Sequence, residues 1–174
     1  MRPVLALGTV IALLVFFIVY VFVGNAALHV TAWIVVIGVA TFFAAGGGNE
    51  GLAKGIASNL AGFFWAAIAL EIWNATGGGH PTVIALSIIL AIAAFVLCLE
   101  SSVPALSYVP GAFLGAGTWV GAVVGGAGGD GGNFQVGDLM LAISIVVGAV
   151  LGYVSQKAIV ELTQSGPREQ PANA

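Results

Sequence analysis

Six apolar runs, each nearly free of charge, leave this chain only one environment in which to fold. They are Val4–Val23, Val30–Ala45, Leu52–Trp73, Pro81–Leu99, Val103–Val124 and Val136–Ser155. Each is close to the roughly 17–25 residues that a helix needs to cross a bilayer core. Of all residues 60% are hydrophobic and only 6% are charged, a balance that no soluble core could absorb. Backbone polar groups in lipid must be satisfied within the chain, so runs of this kind are helices and not strands. Numbering them from a cytoplasmic N-terminus places Arg2, Lys54, Lys157 and Arg168 together on the cytoplasmic side. These are the only Lys and Arg residues, and they follow the positive-inside rule, with both termini cytoplasmic. The expected fold is all-α: a polytopic membrane protein with six transmembrane helices.

Residues 1–163 read as a single transmembrane domain and 164–174, with Pro167, Arg168, Glu169 and Pro171, as a disordered cytoplasmic tail. The first run is too long for the apolar part of a signal peptide and reads as a retained helix. Cys98 lies in an apolar run, has no second cysteine to pair with, and reads as a packing residue. A shift of 77 positions overlays the first three runs on the last three. Gly38, Thr41, Phe42, Ala45 and Gly48 then fall on Gly115, Thr118, Trp119, Ala122 and Gly125. Because three spans is an odd number, the halves 4–75 and 81–155 would insert with opposite orientation. Such a 3+3 inverted repeat is a plan common among transporters.

Three segments of this chain also carry a resemblance. Val35–Ala45 with the glycines after it, Gly62–Ala67 (Gly-Phe-Phe-Trp-Ala-Ala) and Ser107–Gly117, with its Val-Pro-Gly-x-Phe-x-Gly, resemble the YcdZ-like family of bacterial inner-membrane proteins, DUF1097. The resemblance implies a multi-pass protein of the bacterial inner (plasma) membrane. The family's function is unknown, so it supplies no catalytic or binding residue. The glycine-rich 125–133 and the long first run depart from the family pattern.

The chemistry-bearing residues exclude several classes. His29 and His80 fall in outward loops, and no His-x-x-x-His or Cys-x-x-Cys offers a metal site. No serine sits in Gly-x-Ser-x-Gly, and Gly46–Gly51 lacks the Lys and Ser/Thr that end a phosphate-binding loop. An enzyme, a cofactor, a metal and a nucleic-acid partner are therefore not expected. Glu71, Glu100 and Asp138 lie near the ends of spans, where water can reach them.

The deep polar residues are neutral. Thr41, Asn59 and Thr118, with the aromatics Phe42, Trp65 and Trp119, are the expected lining of a narrow path. Such a path passes small uncharged solutes and rejects ions, because nothing in it replaces a hydration shell. Gly117, Gly121 and Gly125 on the fifth span, and Gly148 and Gly152 on the sixth, form ridges for close helix packing, within the protomer or in a homo-oligomer. The expected function is a channel or facilitator for urea, ammonia, a short amide or a gas. A non-conducting accessory subunit is the alternative, and a transporter coupled through Glu71, Glu100 or Asp138 is a third reading.

Overall fold

The computed structural model describes residues 2–25, 28–77, 83–125 and 138–164. His80, the run 126–133 and all of the tail beyond Gln164 lie outside them. Every regular element among the described residues is helical. Six helices follow one another: α1 (Pro3–Ile18), α2 (Ala32–Ala44), α3 (Gly48–Gly77), α4 (Val83–Glu100), α5 (Val109–Val124) and α6 (Leu139–Gln164). A π-helical turn, Val19–Val23, extends α1. Three of these segments, Pro3–Val23, Gly48–Thr76 and Leu139–Gln164, are long and apolar enough to cross a membrane.

The other three are apolar but shorter among the described residues, and for α2 and α5 the reasons are local. With 13 residues α2 is about 20 Å long, less than the roughly 30 Å of a hydrocarbon core. It stops at Gly46, Gly47 and Gly48, whose φ angles of 97°, 67° and 62° lie in the left-handed region that costs other residues roughly 1–2 kcal/mol each. Gly46 and Gly47 return their amides to the carbonyls of Phe43 and Phe42, a Schellman ending that satisfies the last turn. Helix α5 is also shorter than the expected run from Val103. Pro104 opens a single 3-10 turn, Pro104–Leu106, and α5 proper begins only at Val109, with Pro110 in its first turn.

Two long helices extend beyond their expected ends. The chain re-enters a helix at Gly48, so the expected loop Gly46–Gly51 shrinks to two residues. Gln164, expected to open the tail, closes α6 instead. The far end of α6 also holds the glycine turn in place. Gln156 accepts the first amide of α3, from Gly48, at 2.7 Å, and the Tyr153 hydroxyl donates to Asn49 at 2.9 Å.

The most extensive helix contacts are α3 with α5 and α2 with α6; α4 rests on α3, and α1 on α6. Apolar burial gains little when the solvent is itself apolar, so such pairs depend on close van der Waals fit. Both main crossings are built on glycine. A methyl group on Gly62 would lie inside the Ala112 carbonyl, and one on Gly115 inside the Asn59 carbonyl. At the second crossing, Gly38 faces the Ile145 carbonyl and Gly148 the Val35 carbonyl in the same way. The core between the crossings joins Ile34, Phe63, Leu70, Trp119, Leu141 and Ile145, from α2, α3, α5 and α6.

Candidate functional site

The neutral polar residues deep in the helices are buried, Thr41, Asn59 and Thr118 of the expected lining among them. Thr41, Ser58, Asn59, Thr118 and Ser144 are each at most 1% exposed. A hydroxyl in a helix can satisfy itself by donating to the carbonyl one turn back. Thr41 does so to Ile37, Thr118 to Leu114 (both 2.8 Å) and Ser144 to Met140 (2.7 Å). Asn59 has no such option. Its amide nitrogen donates to the Thr41 oxygen at 2.8 Å, tying α3 to α2, while its Oδ1 is buried without a partner among the described residues. Ser58, the preceding residue, likewise leaves its Oγ buried and unbonded. It lies beside Gly111 at the start of α5.

The aromatic candidates divide among three places. Phe42 packs on Phe43 and Tyr153, where Gly152 leaves room for its ring at the α2–α6 crossing. Trp119 meets Phe63 edge-on, with ring centroids 5.1 Å apart, in the core of the α3–α5 pair. Trp65 faces α4, and its indole N–H donates to Glu100. Thr41 and Asn59 are thus brought together, whereas Phe42 and Trp119 belong to separate packing groups.

Gly148 and Gly152 pack closely against α2, but the ridge on α5 meets no helix backbone within the protomer, and only the Trp33 ring edge approaches Gly121. Gly117 and Gly121 face outward, with nothing within 4 Å of a methyl on Gly117, and Gly125 caps the end of α5. The glycines at the α5 crossing are Gly115 and its partner Gly62, one face round the helix. Spacing alone could not distinguish the two faces.

Two carboxylates depart from their expected solvation. Asp138 is 2% exposed, immediately before α6, where unpaired first-turn amides favour a negative charge. Glu100 ends α4 facing α3. Its Oε1 accepts the Trp65 indole, and its Oε2 is closed off from water with no hydrogen-bond partner. Lys54 pairs with Glu50 one turn away on α3, and Lys157 lies 4.5 Å from the centre of the Tyr153 ring. Among the described residues, no three His, Cys, Asp or Glu side chains come together as a metal site.

The arrangement leaves the Asn59 and Ser58 oxygens buried and unpaired among the described residues. No solved structure matches the chain. The chain is similar to the inner membrane protein YcdZ of Escherichia coli (strain K12), with 33% identity over 91 residues. That match covers 52% of this chain and 54% of the relative, so the chain spans about half the length of the curated protein it matches. Residues 6–159 match the family described as "Protein of unknown function (DUF1097)". With nearly all of the helical region matched, the chain belongs to the DUF1097 family.

Proposed function

We propose that this chain is an inner-membrane facilitator for a small neutral solute able to donate hydrogen bonds, such as urea, ammonia or a short amide. The observation that carries this reading is the pair of unmet oxygens, Asn59 Oδ1 and Ser58 Oγ, buried on α3. A buried acceptor without a donor costs about 1–3 kcal/mol, and a solute N–H at that point removes the cost. The groups that meet there, Asn59 and Thr41, are neutral, which suits an uncharged solute and disfavours an ion. The membrane location rests on the three long apolar helices and on the relative's description as an inner membrane protein.

The path would lie between two inverted halves. An offset of 77 residues relates α2 to α5: Val35 to Ala112, Gly38 to Gly115, Thr41 to Thr118, Phe42 to Trp119. An offset of 86 relates α3 to α6: Ser58 to Ser144, Asn59 to Ile145, Gly62 to Gly148. Under these two offsets, the two glycine-to-carbonyl contacts of one crossing become those of the other. Gly38 on Ile145 becomes Gly115 on Asn59, and Gly148 on Val35 becomes Gly62 on Ala112. The contacts of α1 with α6 and of α4 with α3 exchange in the same way. The bond from Tyr153 to Asn49 requires the start of α3 and the end of α6 to share one end of the bundle. Lys54 and Lys157 therefore share it too, which supports a cytoplasmic C-terminus.

Stopped-flow permeability of proteoliposomes to water, urea, ammonia and glycerol tests the reading. A selective rise for one solute over protein-free vesicles is the expected result. A flat panel from correctly folded protein would overturn it in favour of an accessory subunit. The outward face of Gly117 and Gly121 further supports a homo-oligomer. Gly117→Leu with Gly121→Leu is expected to reduce the mass of the detergent-solubilised particle, measured by light scattering. An unchanged mass would remove this ridge as the interface.

A further inference from the structure

The two halves proposed above differ at one hydrogen bond. Thr31 is the N-cap of α2, and the offset of 77 carries it to Tyr108, the N-cap of α5. The two caps are built alike. The Thr31 carbonyl accepts the amides of Ile34 and Val35, and the Tyr108 carbonyl accepts those of the equivalent residues, Gly111 and Ala112. Each cap stands beside one of two serines related by the offset of 86, Ser144 on α6 and Ser58 on α3, and both serines are fully buried. Gly111 sets Tyr108 next to Ser58: a methyl there would meet the Tyr108 ring on one side and Ser58 Cβ, at 3.4 Å, on the other.

At the first of these places the pair is closed. The Thr31 amide donates to Ser144 Oγ at 3.0 Å, and that hydroxyl donates in turn to the Met140 carbonyl. At the second the pair is open: among the described residues, Ser58 Oγ takes no hydrogen bond from Tyr108 or from any other group. The backbone difference is small. The φ angle is −89° at both caps, and ψ, which aims the cap amide relative to the helix that follows, is 110° at Thr31 and 75° at Tyr108. Ser58 lies one turn from Lys54, at the end of the bundle that also holds Lys157. Thr31 and Ser144 lie at the opposite end, where α2 and α6 begin. In an inverted repeat the conformation of one half is open to the other, and exchanging the two turns the path from one side of the membrane to the other.

We propose that Thr31–Ser144 and Tyr108–Ser58 are two latches, one at each end of the solute path, that close alternately. The described state has the Ser144 latch closed and the Ser58 latch open, which leaves Ser58 Oγ for a solute N–H. When the Tyr108 amide takes that oxygen, the solute loses it and the opposite latch releases. The chain then works as an alternating facilitator and not as a pore open at both ends. The proposal rests on the inverted-repeat reading above, and its test needs no solute.

The test is amide hydrogen exchange of the full chain in a neutral maltoside detergent, followed by NMR at Thr31 and Tyr108 after selective nitrogen labelling of threonine and tyrosine. Thr31 exchanges when its latch opens, which in the proposed cycle is when the distant Tyr108–Ser58 latch closes. Ser58→Ala removes the acceptor of that distant latch and breaks no hydrogen bond of the described state. It is expected to slow exchange at Thr31 about fivefold, as for one net hydrogen bond. Ser144→Ala removes the other acceptor, and is expected to speed exchange at Thr31 and to slow it at Tyr108. Exchange at Thr31 unaltered or faster in Ser58→Ala would overturn the alternation, because independent latches do not sense each other across the bundle. So would exchange at Tyr108 that does not slow in Ser144→Ala. With both shifts present, a flat permeability panel would count against the solute reading alone.

Discussion

Gly62→Ala is expected to destabilise the bundle by about 3 kcal/mol, near the upper end of what one added methyl group costs in a packed interior. The new methyl would overlap the carbonyl of Ala112, which is rigid helix backbone and not the movable end of a side chain. Relief would require α3 and α5 to separate along the most extensive contact in the protein. The Asn59–Thr41 bond and the packing of Trp119 on Phe63 both depend on the position of α3. Gly117→Ala is the matched control. Nothing lies within 4 Å of its methyl, and alanine favours a helix over glycine by roughly 0.5–1 kcal/mol, so stability holds or rises slightly. Thermal unfolding in detergent, followed by circular dichroism, separates the two. Equal melting of Gly62→Ala and the parent would mean that the α3–α5 approach is looser than described.

Asn59→Leu is expected to bring solute permeability down to that of protein-free vesicles while the helices remain formed. Leucine has the branched shape of asparagine, though it is larger, and neither accepts nor donates, so the unmet Oδ1 and the bond to Thr41 disappear together. The structural cost is modest, because hydrogen bonds between membrane helices contribute only about 0.6 kcal/mol on average. The proposed functional cost is the whole transfer of hydrogen bonds from water to protein at Asn59. Stopped-flow flux, paired with circular dichroism of the same preparation, measures both. Undiminished flux through well-folded Asn59→Leu would remove Asn59 from the path.

Much of the helical plan was legible because lipid leaves so little choice. Long uncharged runs become helices, and glycine and proline mark where they break. The triple glycine at 46–48 ends α2, and Pro104 and Pro110 delay the start of α5, so that each helix is shorter than its apolar run suggested. The likeness of Gly38-x-x-Thr41-Phe42 to Gly115-x-x-Thr118-Trp119 was also readable, since each set lies within one helix and keeps its register. The match of Gly48 with Gly125 at the same offset carried no structural equivalence: Gly48 begins α3, whereas Gly125 ends α5. In the proposed repeat, the offset of 86 between α3 and α6 is hidden because the connections before the two helices differ in length, so a single sliding shift cannot align both pairs.

The sequence by itself determined an all-helical, lipid-adapted chain, its break points, and the small set of neutral polar residues within it. Those properties follow from solvation, which acts on each residue almost independently of its distant neighbours. Only the tertiary structure decided which glycines meet carbonyls and which face outward, that Asn59 reaches Thr41, and that Glu100 turns inward onto Trp65. These outcomes depend on the rotation of one helix about its axis relative to another, to within a fraction of a turn. On helices as uniformly apolar as these, no polar stripe in the sequence records that rotation; it is set by where two backbones can approach most closely.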